Sequence, residues 1–360
     1  MPATETRTRK PARAWPMSES TFLLLLVFLR VAPAGPQSKP VPIPQEIQTL
    51  LDAHDYSKAE QALKKELERA PGWDLGHVLL GQVCNQLGEY AEAERAGLDA
   101  IRIRESLDGL MVLAVATMHL QKLNESIGWL EKAANRQPNY AEIYKVLGLD
   151  YALGGNLVES EKALRRAAVL DPQNWELHYL HGRALYELRL YQDSEKALRR
   201  ALELSAQSTR AWTALGQTQE RLYAPGAAEA SYRKALEFCG SETSECAWPL
   251  MQLGFLASRR KSPREAEQFF RKSIAARPDW AKPHFYLGNS RAAQGDFTEA
   301  RAEIETAVRL DGSKPDYHYQ LAQLYRRLGE TQKAEEQMTL YRSLTDPERK
   351  KKAAAEFSNP

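Results

Sequence analysis

From about residue 40 to residue 345 the chain repeats one pattern of apolar and polar positions at a period of about 34 residues. Nine units begin at Pro40, Asp74, Leu107, Ala141, Trp175, Thr209, Ala247, Ala281 and Pro315, and the junction before Ala247 is longer than the others. Counted from the first residue of each unit, apolar side chains recur at positions 4, 7 and 11, the spacing of one helix face. Position 7 is Leu80, Leu113, Leu147, Leu215, Leu253, Leu287 and Leu321, with Glu46 and His181 as departures. Position 8 is small from Gly81 to Ala322, with Ile47 the exception, and position 20 is Ala or Ser in every unit, from Ala59 to Ala334. A second apolar series follows, with bulky residues at position 24 such as Leu130, Leu164, Tyr232, Phe270 and Ile304, and Ala at position 27 in most units. Pro71, Pro138, Pro172 and Pro278 fall at position 32, where proline ends one helix before the next begins. The pattern predicts a chain of helix–turn–helix units, in which paired small residues let two helices approach closely. A hairpin of this size cannot bury its own apolar face, so each must stack on its neighbours.

With Leu147, Gly148, Tyr151, Ser160, Leu164, Ala167 and Pro172 in place, the unit from Ala141 resembles the tetratricopeptide repeat consensus. The resemblance covers roughly residues 40–345. It implies an all-α, right-handed superhelical solenoid of antiparallel helix hairpins. The first and last units deviate most, as the ends of stacked arrays do where one side meets water.

If positions 4, 7, 8 and 11 pack, then positions 2, 5, 9 and 12 lie about 120° further round the first helix. In the family this second face lines a concave groove that holds peptides or partner segments. It carries Tyr179, Arg183 and Tyr186 in one unit, Arg210 in the next, then Trp248, Met251 and Phe255, then Phe285 and Asn289, then Tyr319 and Arg326. A solvated face would hold Lys, Glu and Gln, whereas aromatics mixed with Arg are enriched at binding hot spots. The expectation is a partner-binding surface between Glu176 and Arg327. Some relatives clamp a partner's terminal carboxylate with a fixed set of Lys, Asn and Arg residues. Here Lys145 is followed by Leu149 and Asn289 is preceded by Phe285, so that set is absent.

The ends of the chain add a location. Arg7, Arg9, Lys10 and Arg13 precede an apolar run from Phe22 to Leu29 and a small-x-small sequence, Ala32-Pro33-Ala34. This order resembles a secretory signal peptide over residues 1–34, and the run is far short of the ~20 residues that span a bilayer. The alternative is an uncleaved N-terminal anchor, or a start at Met17. Residues 35–45 are a proline-rich spacer, and residues 346–360 read as a basic capping helix and tail. The formal net charge is +2. Residues 1–34 contribute five basic and two acidic side chains, which leaves −1 for the rest. That balance argues against a nucleic-acid binder, and against membrane-surface binding apart from the N-terminal segment.

The chain contains no G-x-x-x-x-G-K-[ST], H-E-x-x-H, C-x-x-C or G-x-S-x-G sequence, and a helical solenoid offers no strand ends or Gly-rich loops for catalysis. The reading is therefore a non-catalytic scaffold without a cofactor, whose partner is another protein or peptide segment. A rival is an assembly or tethering subunit of an envelope complex that uses the array's edges. A second rival is an enzyme or metal protein centred on His178 and His181, which stand one turn apart. Against it, His77, His178, His284 and His318 all occupy position 4, where Tyr144 and Trp212 stand in other units, so an aromatic filling role explains the column. Cys84 occupies position 11, an apolar column. Cys239 and Cys246 bracket the lengthened junction, where they either close a disulfide in an oxidising compartment or remain two free thiols.

Overall fold

A computed structural model describes residues 42–240 and 243–346. The export-type segment 1–34, most of the proline-rich spacer and the C-terminal run beyond Asp346 lie outside the described residues. The described residues form eighteen helices and no strand. They fall into two compact units, divided between Leu190 and Tyr191.

The first unit holds α1 (Gln45–Asp52), α2 (Tyr56–Arg69), α3 (Asp74–Leu87), α4 (Tyr90–Ile103), α5 (Leu107–His119), α6 (Leu123–Arg136), α7 (Ala141–Leu153), α8 (Leu157–Leu170) and α9 (Trp175–Glu187). The second holds α10 (Tyr191–Leu204), α11 (Thr209–Arg221), α12 (Pro225–Phe238), α13 (Ser244–Arg259), α14 (Pro263–Ala276), α15 (Ala281–Gln294), α16 (Phe297–Leu310), α17 (Pro315–Arg327) and α18 (Thr331–Thr345). In each unit consecutive helices pack as hairpins, each hairpin packs on the next, and first helices also touch first helices, as α3 does α5 and α11 does α13.

Local chemistry sets the helix ends. Asp55, Ser106, Asn156, Asn174 and Ser208 accept a main-chain N–H of the first turn, and Pro225, Pro263 and Pro315 start helices with a residue that has no N–H to satisfy. Position 15, between the two helices of each hairpin, is left-handed in all nine units, with φ from +55° to +90°. Glycine fills it as Gly88, Gly155, Gly295 and Gly329, but His54, Gln121, Arg189, Tyr223 and Lys261 hold the same conformation.

The two small columns do different work. A Cβ at Gly216 or Gly254 would come within 2.5 Å of Tyr232 or Phe270, and one at Gly148 would run into Leu164. Position 8 therefore receives the bulky position-24 side chain of the same hairpin. Position 20 instead lies against the position-8 main chain, where Ser126 and Ser160 donate to Ala114 O and Gly148 O at 2.8 and 2.7 Å. The cores beneath are local. Leu110, Leu130, Ile143 and Val146 belong to one in the first unit, and Phe270, Met251 and Leu287 to one in the second.

Position 4 differs from the expectation. Its side chains are mostly half-buried, and their role is more than filling. His77, Tyr144, His178, Trp212, His284 and His318 each meet the main-chain carbonyl six residues earlier, in the turn that precedes their own helix, at 2.8–3.3 Å. Residue types that share a ring and a donor at that reach share this job. The bond fixes each imidazole with its Nε2 proton on the carbonyl.

Candidate functional site

On the first-helix face of the first unit, Tyr179 is buried at 7% exposure, its ring 6.2 Å from that of Trp175. Arg183 donates to the Tyr179 hydroxyl at 3.5 Å, and Tyr186 is half-buried one turn further on. Tyr179 thus departs from the expected open surface, because its ring is taken up in packing. His178 and His181 do not converge. His178 Nε2 meets Pro172 O, while His181 Nε2 meets Glu161 at 3.0 Å, and burial holds the His181 imidazolium disfavoured.

In the second unit, taken by itself, the first-helix face carries Arg210 on α11, Trp248, Met251 and Phe255 on α13, Phe285 and Asn289 on α15, and Tyr319 and Arg326 on α17. Met251 is fully buried, clustered with Phe270 and Leu287, and presents nothing to a partner. The other aromatics keep part of their surface. Phe255 lies 5.7 Å from the Tyr286 ring, Phe285 stacks on Tyr317 at 4.5 Å, and Tyr319, 40% exposed, lies 5.4 Å from Tyr341. Arg210 and Asn289 are half-buried, and Arg326 is exposed with Glu335 at 3.9 Å.

Two aromatic residues off the 2-5-9-12 series join this face. Trp280, in the turn before α15, stacks on Trp248 at 5.3 Å, and Tyr286 at position 6 lies beside Phe285 and Phe255. Helical periodicity alone does not bring a turn residue to the face. Lys282 Nζ stands over both the Trp248 and Tyr286 rings, 5.4 and 6.0 Å from their centroids. Burial pulls its ammonium below the usual lysine range, against the attraction of Glu220. Burial pushes the Glu220 carboxyl up, opposed by Tyr232 and by Arg259, Arg221 and Lys282.

The three cysteines stand in two different settings. Cys84 is fully buried, and burial, with Glu60 and Glu89 nearby, pushes its thiol up to about 12. Cys239 and Cys246 have Cα atoms 5.8 Å apart, with their sulfurs joined across the turn between α12 and α13.

Stacked antiparallel hairpins with small residues at two fixed contacts define an all-helical repeat protein. The chain belongs to the tetratricopeptide repeat family, whose repeat signature matches residues 45–108, 179–242 and 286–345. Its fold class is all-α, of the tetratricopeptide solenoid type. Among solved structures it is similar to Pseudomonas aeruginosa pilF, at 17% identity over 60% of this chain and 97% of that one, with a TM-score of 0.52. PilW, described as a widely conserved type IV pilus biogenesis factor, shares 17% identity over 59% of this chain and 97% of its own, with a TM-score of 0.51. Yeast Tom70 shares 17% identity over 84% of this chain and 62% of its own, with a TM-score of 0.54. These likenesses are of fold. No curated protein matches the chain in sequence. Among the described residues no helix is long and apolar enough to cross a membrane.

Proposed function

We propose that this protein is a non-catalytic interaction scaffold that binds a peptide or protein segment along the first-helix face of its second unit. The observation that carries the reading is the run Trp248, Phe255, Phe285 and Tyr319, aromatic side chains on one face of successive hairpins that keep part of their surface open. Aromatic rings lose little conformational freedom on binding and dominate well-packed contacts, and an open row of them is unusual on a surface with no partner. Arg210, Asn289 and Arg326 supply polar groups along the same face, while Arg183 and Tyr186 offer similar chemistry on the first unit. Neither a cofactor nor nucleic acid enters this mechanism. The protein acts outside the cytoplasm, delivered by residues 1–34, and the pairing of Cys239 with Cys246 suits an oxidising compartment.

The test is affinity capture from the extracytoplasmic fraction with wild type and a Trp248→Ala, Phe285→Ala, Tyr319→Ala variant of unchanged circular dichroism. A protein retained by wild type and lost by the variant is the expected result. Identical recoveries, or none, would move the function to the edges of the hairpin array.

A further inference from the structure

On the second unit's first-helix face two nitrogens and one carboxylate oxygen are left without a hydrogen-bond partner, although Tyr232 still supports the Glu220 carboxylate. Trp248 Nε1, at the start of α13, and Glu220 Oε1, at the end of α11, are both buried and meet no hydrogen-bond partner. Lys282, at the start of α15, is half-buried between two rings, and no described carboxylate lies within ion-pair distance of its Nζ. Glu220 and Lys282 sense each other's charge without touching. Burying a donor or an acceptor with nothing to meet it is costly, and the cost is larger for a charge. Three such groups in one place, two donors and one acceptor, describe the complement of something that brings acceptors and a donor together.

The charges narrow the choice. The Arg259, Arg221 and Lys282 charges all favour the Glu220 carboxylate and Asp316 acts on Tyr286, so the cations felt here outnumber the acids. An incoming carboxylate restores the partner that burial denies Lys282, and the flanking Trp248 and Tyr286 rings take the carbon stem that carries it. Glu220 would repel a second carboxylate placed on it, but it suits a main-chain N–H.

We propose that Lys282, Trp248 and Glu220 form a recognition site for an Asp or Glu residue inside an extended peptide segment. Lys282 pairs with the side-chain carboxylate, Trp248 Nε1 donates to its second oxygen, and Glu220 accepts the adjoining main-chain N–H. This assignment rests on the reading of the face as the binding surface and adds the chemistry of what it reads.

The test uses the full chain and a library of random decapeptides displayed through their C-terminal ends, so that no free α-carboxylate is presented. Recovered sequences are expected to share an Asp or Glu. In the synthetic amidated peptide, Glu→Gln or Asp→Asn should weaken binding to wild type at least tenfold and to Lys282→Met less than twofold. Lys282→Gln serves as the second variant if Lys282→Met does not fold. Peptides that bind wild type, fail on the Trp248→Ala, Phe285→Ala, Tyr319→Ala variant and carry no shared acid would overturn the carboxylate site and leave the groove standing. So would an acid whose neutralisation costs the same on wild type and Lys282→Met. No recovered peptide, or equal binding to the triple variant, removes the groove and the site together.

Discussion

Replacing Asp150 with Asn should make the protein more stable at pH 8 and leave it nearly unchanged near pH 4. Asp150 lies on α7 with no exposed surface, and neither carboxylate oxygen meets a hydrogen-bond partner. Burial is the main cause that pushes its carboxyl up to about 7, with Ser126 opposing. The Ser126 proton is directed at Ala114 O, so it gives the carboxylate little support. In the unfolded chain the group returns to about 3.9. Between those values the folded protein binds a proton that the unfolded chain has lost, so stability falls as pH rises and levels off above the folded pKa. From 3.8 to about 7, at about 1.36 kcal/mol for each pH unit, the loss is at most about 4 kcal/mol. Between pH 5 and pH 8 alone it is about 2–3 kcal/mol. Asn keeps the shape without the charge, so Asp150→Asn should lose most of this pH slope. Urea unfolding of both proteins at pH 4, 5, 6, 7 and 8 measures it. Parallel stability curves for the two, with no gain for Asn at pH 8, would show that the carboxylate is solvated or partnered and refute the reasoning.

Other expectations follow from the turns, the hairpin contacts and the thiols. Tyr223, 92% exposed and at φ +57°, contributes little packing, so Tyr223→Gly should raise stability by about 1 kcal/mol by relieving the left-handed cost; an unchanged thermal midpoint would count against that. Gly254→Leu must displace Phe270 and should cost about 3 kcal/mol or more, read from the urea midpoint, because backbone and ring are both fixed. Thiol titration of the unreduced, unfolded protein should give one reactive cysteine, Cys84, and the native protein should give almost none; three would show that Cys239 and Cys246 are not joined. The loss of partner capture by the triple aromatic variant completes the set.

The periodicity of apolar and small residues reveals the hairpins directly, because a helix with 3.6 residues per turn must place positions 4, 7, 8 and 11 on one side. The second face was legible for the same reason, and it yields Trp248, Phe255, Phe285 and Tyr319. It misplaces Tyr179 and Met251. Angle around a helix says which way a side chain points, while exposure depends on how far the next hairpin covers it. Position 15 was illegible because five of its nine residues are not glycine; the turn imposes a left-handed backbone that composition does not announce.

What the sequence by itself determined is the repeat, its register and the direction of each helix face, all consequences of local geometry repeated along the chain. Tertiary structure decided which groups are left in want of a partner. Asp150, Trp248, Glu220 and Lys282 are ordinary residues in an alignment of units, and become consequential only when side chains from other helices remove water from them without replacing its hydrogen bonds.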